Sequence, residues 1–66
     1  MVVGVLVEIS SQNVDKVFDY LVPKELENSI KIGIRVLVPF GKQKLEGFVL
    51  EIKDSSEVEL KEIYSI

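Results

Sequence analysis

Short β-branched runs separated by turn residues constrain the fold of this 66-residue chain more than any other feature. The first run, at residues 2–9, is rich in valine and has no helical spacing, so it predicts a strand. Runs at 18–22, 34–38, 44–52 and 60–66 predict further strands, although the last also suits a helical turn. The sequence therefore predicts an all-β fold, a small antiparallel barrel or sandwich of about five strands.

At most one short helical turn is expected beside these strands. Pro23 opens the segment at 23–28, which is typical of a turn or a very short helix. Residues 14–17 fit either a single helical turn or a bend.

One proline and three glycines predict how the strands end and bend. Pro39 has no N–H for a sheet ladder, so the third strand must lie at a sheet edge or end there. Gly41 suits the positive backbone angle of the turn that follows. Gly4 and Gly47 lie inside strand runs, where Gly4 indicates a bulge or a close backbone approach and Gly47 indicates a bulge or a sharp coil of the strand.

The composition excludes several classes of protein. The chain has no Cys and no His, which removes disulfides and the usual zinc ligand sets. It has no apolar run near the roughly 20 residues that span a bilayer. Its first residues show no basic region followed by a cleavage site, so we do not expect a secreted protein. A single cytoplasmic domain is expected at residues 1–66. Because the last residues form an apolar-alternating run, we expect a fragment of a longer chain.

The charges are unevenly distributed although the net charge is only −3. Residues 29–45 contain four cations and no acid, whereas residues 46–66 contain six acids and two lysines. This pattern predicts either one locally basic face or an ordinary solvated surface.

The first candidate site is the run of Phe18, Asp19 and Tyr20, which puts a carboxylate between two large rings. Asp disfavours strands, so something must compensate for its position here. Either the rings are core and Asp19 caps a turn, or the rings line a pocket where Asp19 accepts a hydrogen bond from a planar ligand. The pattern alone leaves both interpretations open.

The second candidate site is the sequence VPFGK at residues 38–42. It is either a plain β-turn or a place where Gly41 allows a ligand to approach the backbone and Lys42 meets a phosphate. The glycine spacing of a nucleotide-hydrolase phosphate loop is missing.

No group of residues indicates catalysis. No Cys or His is available as a nucleophile or a general base, and the 11 acids form no specific pair. The chain is expected to be a binding module with no catalytic residue, metal site or cofactor of its own.

Several stretches of the chain follow a known pattern in order and spacing. They are FDYLVP at 18–23, GIRVLVPFGK at 33–42, GFVL at 47–50, and the pairs SE at 56–57 and LK at 60–61. Together they resemble the N-terminal domain of primosomal protein N-prime, the bacterial family of replication-restart helicases.

The resemblance implies a small β domain that binds the 3′ end of the nascent leading strand at a stalled or branched replication fork. In that family the pocket is formed by a Phe-Asp-Tyr run, the Gly of a VPFG loop and a Lys near the end of the domain. By position, the first four correspond here to Phe18, Asp19, Tyr20 and Gly41.

The terminal Lys of the family pattern is where this chain departs. Tyr64 takes its position, so either Lys61 supplies the charge or Tyr64 stacks on a base instead. Lys42 is a further candidate for a phosphate contact.

The resemblance also implies partners and cofactors. The partners are DNA with a free 3′-hydroxyl, branched forks and other domains of a parent ATP-dependent 3′–5′ DNA helicase, with no membrane contact. ATP and zinc are expected only in the rest of that parent protein.

Simple chemistry is compatible with this role. A 3′ terminus ends in a hydroxyl that can donate to Asp19, whereas an ionised carboxylate repels a 3′-phosphate. Cations at residues 31–44 would contact preceding phosphates, and because these are few, the salt dependence should be shallow.

Two other functions stay open. The domain is alternatively a small protein-interaction module that uses Phe40, Phe48 or an open sheet edge and makes no DNA contact. As a third interpretation, it is purely structural and all its aromatic runs are core.

Overall fold

The computed structural model describes residues 1–8, 16–54 and 59–66. Its strands are β1 (Val2–Val7), β2 (Lys16–Leu21), β3 (Arg35–Phe40) and β4 (Gln43–Lys53). They pair antiparallel in one sheet of order β2-β1-β4-β3, so β2 and β3 are its edges. The predicted all-β antiparallel fold is confirmed.

One short helix accompanies the sheet in the described part of the chain. It is a 3-10 helix at Lys24–Ser29 that follows directly after Pro23, as predicted from the proline. No helix in the described residues is long and apolar enough to cross a bilayer. Of the undecided segment at 14–17, residues 16 and 17 belong to β2, and the other two lie outside the described residues.

Valine side chains dominate the core, because branched side chains pack well on a pleated sheet. The central strand β1 contributes three of them, and it is covered on both sides by paired neighbours. The buried cluster consists of Val3, Val5, Val7, Tyr20, Val22, Ile30, Val36, Val38, Val49 and Ile63.

The sheet is open between its edge strands β2 and β3, and this opening is called the gap below. Residues 59–66 cross the gap and first contact β2. The Leu21 N–H donates to the Lys61 carbonyl at 2.9 Å, and the Ile63 N–H donates to the Leu21 carbonyl at 3.0 Å. The side chain of Ile63, 2% exposed, belongs to the buried core.

The same segment then bonds to β3. The Leu37 N–H donates to the Ser65 carbonyl at 2.9 Å, and the Tyr64 N–H donates to the Leu37 carbonyl at 2.7 Å. Because the segment crosses the gap instead of running along either edge, the predicted fifth strand at 60–66 is present only as two isolated bridges. The ladder therefore has four strands, and the molecule is barrel-like without a closed sheet.

Pro39 lies inside the edge strand β3, where the sequence placed it. Leu37 directs its main-chain groups into the gap, and residues two apart in a strand direct theirs to the same side. The missing N–H of Pro39 therefore faces the gap and costs no bond to β4. Gly41 follows in the turn with a φ of 60°, as expected.

The glycine at position 4 has a predicted effect, a bulge, whereas the effect of Gly47 was not predicted from the sequence. The pairing of β1 with β4 shifts between Gly4 and Val5, whose partners are Glu51 and Val49, so Leu50 is the extra residue of a β-bulge. Gly47 allows a close approach, because a Cβ there would lie 2.6 Å from Val5 Cγ1.

Substitution of Gly47 by Ala should destabilise the domain. The added Cβ would also lie 2.7 Å from the Leu6 carbonyl oxygen, a backbone atom that cannot move without disturbing β1. We expect urea denaturation to show a loss of about 1–3 kcal/mol in the free energy of unfolding. The matched control is Gly4→Ala, whose nearest contact would be 3.4 Å. Equal stability of Gly47→Ala and the wild type would contradict the close approach.

Candidate functional site

Aromatic rings from the two edge strands meet across the gap. The Phe18 ring on β2 and the Phe40 ring at the end of β3 have centroids 5.2 Å apart and planes inclined at 67°. This edge-to-face geometry is a favoured arrangement of aromatic pairs. Both side chains are half-buried and pack against the core, so they close the gap from within while keeping accessible surface.

A hydrogen bond beside these rings also crosses the gap. The Tyr20 hydroxyl donates to the Pro39 carbonyl at 2.9 Å, and the Tyr20 side chain is buried. Burial raises the pKa of Tyr20 above its ordinary value of 10.0, so the hydroxyl is a protonated donor at neutral pH. The bond fixes the end of β3, and with it the turn at Gly41, relative to β2.

A groove of about 330 Å³ lies where the rings and this hydrogen bond hold the edges together. This volume is at the small end of the range for ligand sites. One wall comes from β2, one from the end of β3 and its turn, and one from the beginning of the terminal segment. The lining residues are Phe18, Asp19, Tyr20, Pro39, Phe40, Gly41, Glu59, Leu60 and Lys61.

The carboxylate of Asp19 is held by Lys53. Alternation along β2 turns this side chain away from the two rings and toward Gly4 of β1. Lys53 Nζ lies 3.1 Å from Oδ1 and 3.2 Å from Oδ2 of Asp19, and 3.7 Å from an oxygen of Glu51. The hydrogen bond to Asp19, helped by both negative charges, raises the pKa of Lys53. This lysine compensates for the unusual Asp in a strand.

The main chain of Asp19 faces the groove. Leu21 uses both its N–H and its carbonyl to bond the terminal segment. Residues two apart in a strand direct their main-chain groups to the same edge, so Asp19 directs its own N–H and carbonyl to this edge. The groove therefore offers a polar main-chain donor and acceptor beside aromatic walls.

The structure brings together most of the residues that the sequence selected. Phe18, Asp19, Tyr20, Gly41 and Lys61 all line the groove, although they come from three separate parts of the chain. Their role in binding stays a prediction.

Two other candidates lie outside the groove lining. Lys42 is in the turn after Gly41, and Tyr64 lies three residues beyond Lys61. The Nζ of Lys44 lies over the Tyr64 ring, 5.0 Å from its centroid. Sequence analysis missed this contact and the contact of Lys53 with Asp19, because each joins residues at least 20 positions apart and leaves no local pattern.

A second hollow, of about 190 Å³, lies beside the bridge that joins Leu37 of β3 to Ser65. Arg35 and Glu46 line it and approach each other to 3.7 Å, so one of the cations in the basic segment has an acidic neighbour. The hollow contains none of the residues selected from the sequence.

The described residues contain no group of three or more His, Cys, Asp or Glu side chains that could hold a metal ion.

An open-edged β domain with an aromatic groove and an accessible main-chain edge is a small binding module. Comparison with protein families identifies it further, because residues 4–66 match the family described as the 3′DNA-binding domain (3′BD). The chain belongs to this family of DNA-binding domains.

Individual relatives agree with the family assignment. The chain is 42% identical over 62 residues to the replication restart protein PriA of Bacillus subtilis, a match that covers 94% of this chain and 8% of that protein. It is 41% identical over 49 residues to a probable replication restart protein PriA of Mycobacterium tuberculosis, covering 74% and 8%. The PriA of Haemophilus influenzae is 46% identical over 43 residues, covering 65% and 6%. The chain thus spans less than a tenth of the length of these relatives.

Removal of the Tyr20 hydroxyl should weaken the contact between β2 and the end of β3 and so destabilise the domain. Tyr20→Phe deletes the donor and leaves the Pro39 carbonyl without this partner, at a cost of about 1–3 kcal/mol in the free energy of unfolding. Thermal or urea denaturation measures this cost. Tyr64→Phe is the matched control, since Tyr64 is 49% exposed and should lose little. Equal losses in the two variants would contradict the structural role of the Tyr20 hydroxyl.

The same hydroxyl predicts a pH dependence. Because the pKa of Tyr20 is raised in the folded state, the unfolded chain releases this proton first as the pH rises. The stabilisation by the hydroxyl is fully present below about pH 10 and is lost as the pH rises toward the folded-state pKa. The stability advantage of the wild type over Tyr20→Phe should therefore shrink as the pH rises above about 10. An advantage that stays constant over this range would contradict the expectation.

Proposed function

We propose that this domain recognises the 3′ end of a DNA strand at stalled or branched replication forks, as the end-binding part of an ATP-dependent replication-restart helicase. The observation that carries the proposal is the groove between the two edge strands, in a chain that belongs to the 3′DNA-binding domain family. The names of the relatives support a role in replication restart.

The aromatic walls suit a terminal base. Phe18 and Phe40 offer ring surfaces to the groove, and any of the four bases can contact such a surface without being identified. The Tyr20 hydrogen bond holds the two walls at a fixed separation. The groove can therefore accept the end of a strand whatever its sequence.

The polar groups of Asp19 suit a terminal hydroxyl. Its main-chain N–H and carbonyl are directed at the groove edge, and a 3′-hydroxyl can both donate and accept a hydrogen bond. An internal nucleotide has an esterified oxygen at this position and cannot donate. The Asp19 carboxylate adds negative charge next to the groove, which disfavours a 3′-phosphate.

Charge near the groove is balanced rather than strongly basic. Lys61 lines the groove together with Glu59, and Lys53 partly neutralises Asp19. Few phosphates can be contacted by so few cations, so binding by this domain should depend only weakly on salt.

The remaining chemistry of a replication-restart helicase would lie outside these residues. In this proposal the parent protein is a 3′–5′ DNA helicase whose ATP and zinc sites belong to other domains, and the 66 residues position it at the strand end. Replication forks would place the protein in the cytoplasm.

A protein-interaction module is the second candidate, favoured by a row of apolar side chains on the outer face of the sheet. Val17, Leu6 and Phe48 are register partners on β2, β1 and β4. Val17 is 49% exposed and Phe48 is 36% exposed. Of the predicted contact residues, Phe40 lines the groove, whereas Phe48 lies beside Leu6 on this face and is the anchor of such a surface.

Fluorescence anisotropy with a short labelled single strand tests end recognition. We expect the wild type to bind a strand with a 3′-hydroxyl at least several-fold more tightly than the same strand with a 3′-phosphate. Asp19→Ala removes the repelling charge, so it should reduce this preference. Glu25→Ala, an equal charge change on the 3-10 helix, is the control and should keep the preference.

Two results would sink the proposal. The first is equal affinity of the wild type for both strand ends, and the second is no binding of either strand at high protein concentration in low salt. Both would favour the interaction module.

A further inference from the structure

The chain segments that follow two walls of the groove come together next to it. One wall contains Gly41, and the chain reaches Lys44 three residues later; another contains Lys61, and the chain reaches Tyr64 three residues later. Because Lys44 Nζ lies 5.0 Å from the Tyr64 ring centroid, both segments leave the groove toward the same place. Three residues of extended chain span at most about 10 Å, so this place is close to the groove.

The ring of Tyr64 is accessible but its backbone is fixed. Its N–H donates to the Leu37 carbonyl at 2.7 Å, while the preceding residue, Ile63, is buried in the core. Nearly half of the Tyr64 surface is nonetheless exposed. The core does not require this ring, yet the main chain holds it at the edge of β3.

The Lys44 ammonium is available to an anion. Among the residues that the structure describes, no carboxylate lies within 4.0 Å of it, whereas Arg35 and Lys53 each have such a neighbour. Two acids lie two residues away in sequence, one from Lys44 and one from Tyr64, and both are placed elsewhere. Glu46 approaches Arg35, and Glu62 is placed by its bridge to Leu21 on the β2 side.

Proteins that bind single-stranded nucleic acid without regard to sequence combine cations that contact the backbone with aromatic rings on which the bases stack. We propose that Lys44 and Tyr64 form a second nucleotide site, which takes the nucleotide one or two positions before the 3′ terminus of a single strand. Lys44 contacts its phosphate and Tyr64 stacks on its base. This inference rests on the proposed function, because it assumes that the groove holds the strand end.

Charge-neutral linkages in the DNA provide the test. Strands with a 3′-hydroxyl carry one methylphosphonate at the first, second or fifth linkage from the 3′ end. The wild type should lose about three- to tenfold in affinity when the first or second linkage is neutral, and little at the fifth. Lys44→Gln should bind the unmodified strand more weakly by the same factor. It should lose no further affinity when the linkage to which the wild type is sensitive is made neutral, as in a double-mutant cycle.

Three protein variants serve as comparisons. Tyr64→Leu should weaken binding about tenfold, because it removes the stacking surface, whereas Tyr64→Phe should bind like the wild type. Lys24→Gln makes the same charge change on the 3-10 helix and should keep the full sensitivity to the neutral linkage. Lys44→Gln should also reduce the slope of log affinity against log salt by about 0.7, the value for one phosphate contact on a single strand.

The outcomes separate this inference from the proposed function. Suppose that the wild type prefers a 3′-hydroxyl to a 3′-phosphate, but that Lys44→Gln loses as much affinity as the wild type when the first or second linkage is neutral. The second site is then wrong and end recognition stands. The same holds if Lys24→Gln and Lys44→Gln weaken binding equally. If the wild type shows no preference for the hydroxyl, both proposals fail together.

Discussion

The closure of the gap between β2 and β3 is the constraint on which the rest of this structure depends. A domain this small buries only a modest share of its surface, and bringing the two sheet edges together encloses more of the core. The terminal segment does so at one end with main-chain bonds to Leu21 and Leu37, and the Phe18–Phe40 contact with the Tyr20 hydrogen bond does so at the other.

The incomplete nature of this closure creates the groove that is the candidate binding site. A fifth strand paired along its full length would consume the main-chain groups at the edge of β2 and fill the space before Phe40. Because the segment makes only one bridge to each edge, a groove stays open with the main chain of Asp19 at its rim. Stability and accessibility thus come from different parts of the same gap.

Sequence patterns predicted much of this site for identifiable physical reasons. Gly41 and Pro39 are restricted by their own backbones, so their turn and edge positions follow from residue type. The Phe18 to Tyr20 run and the turn at Gly41 were selected as partners, and both line the groove. The contacts of Lys53 with Asp19 and of Lys44 with Tyr64 were not predicted, because a long flexible side chain reaches a distant partner without any local signature.

The sequence by itself determined the strands, the turns and the residues with chemical potential, since these follow from local backbone restriction and from alternation. Only the tertiary structure decided that residues 59–66 cross a gap instead of adding a strand. It alone placed the Asp19 carboxylate with Lys53, and the Lys44 ammonium over Tyr64. These contacts depend on which sheet edges meet in space. The closure of a sheet is a property of all its strands together and not of any one sequence segment.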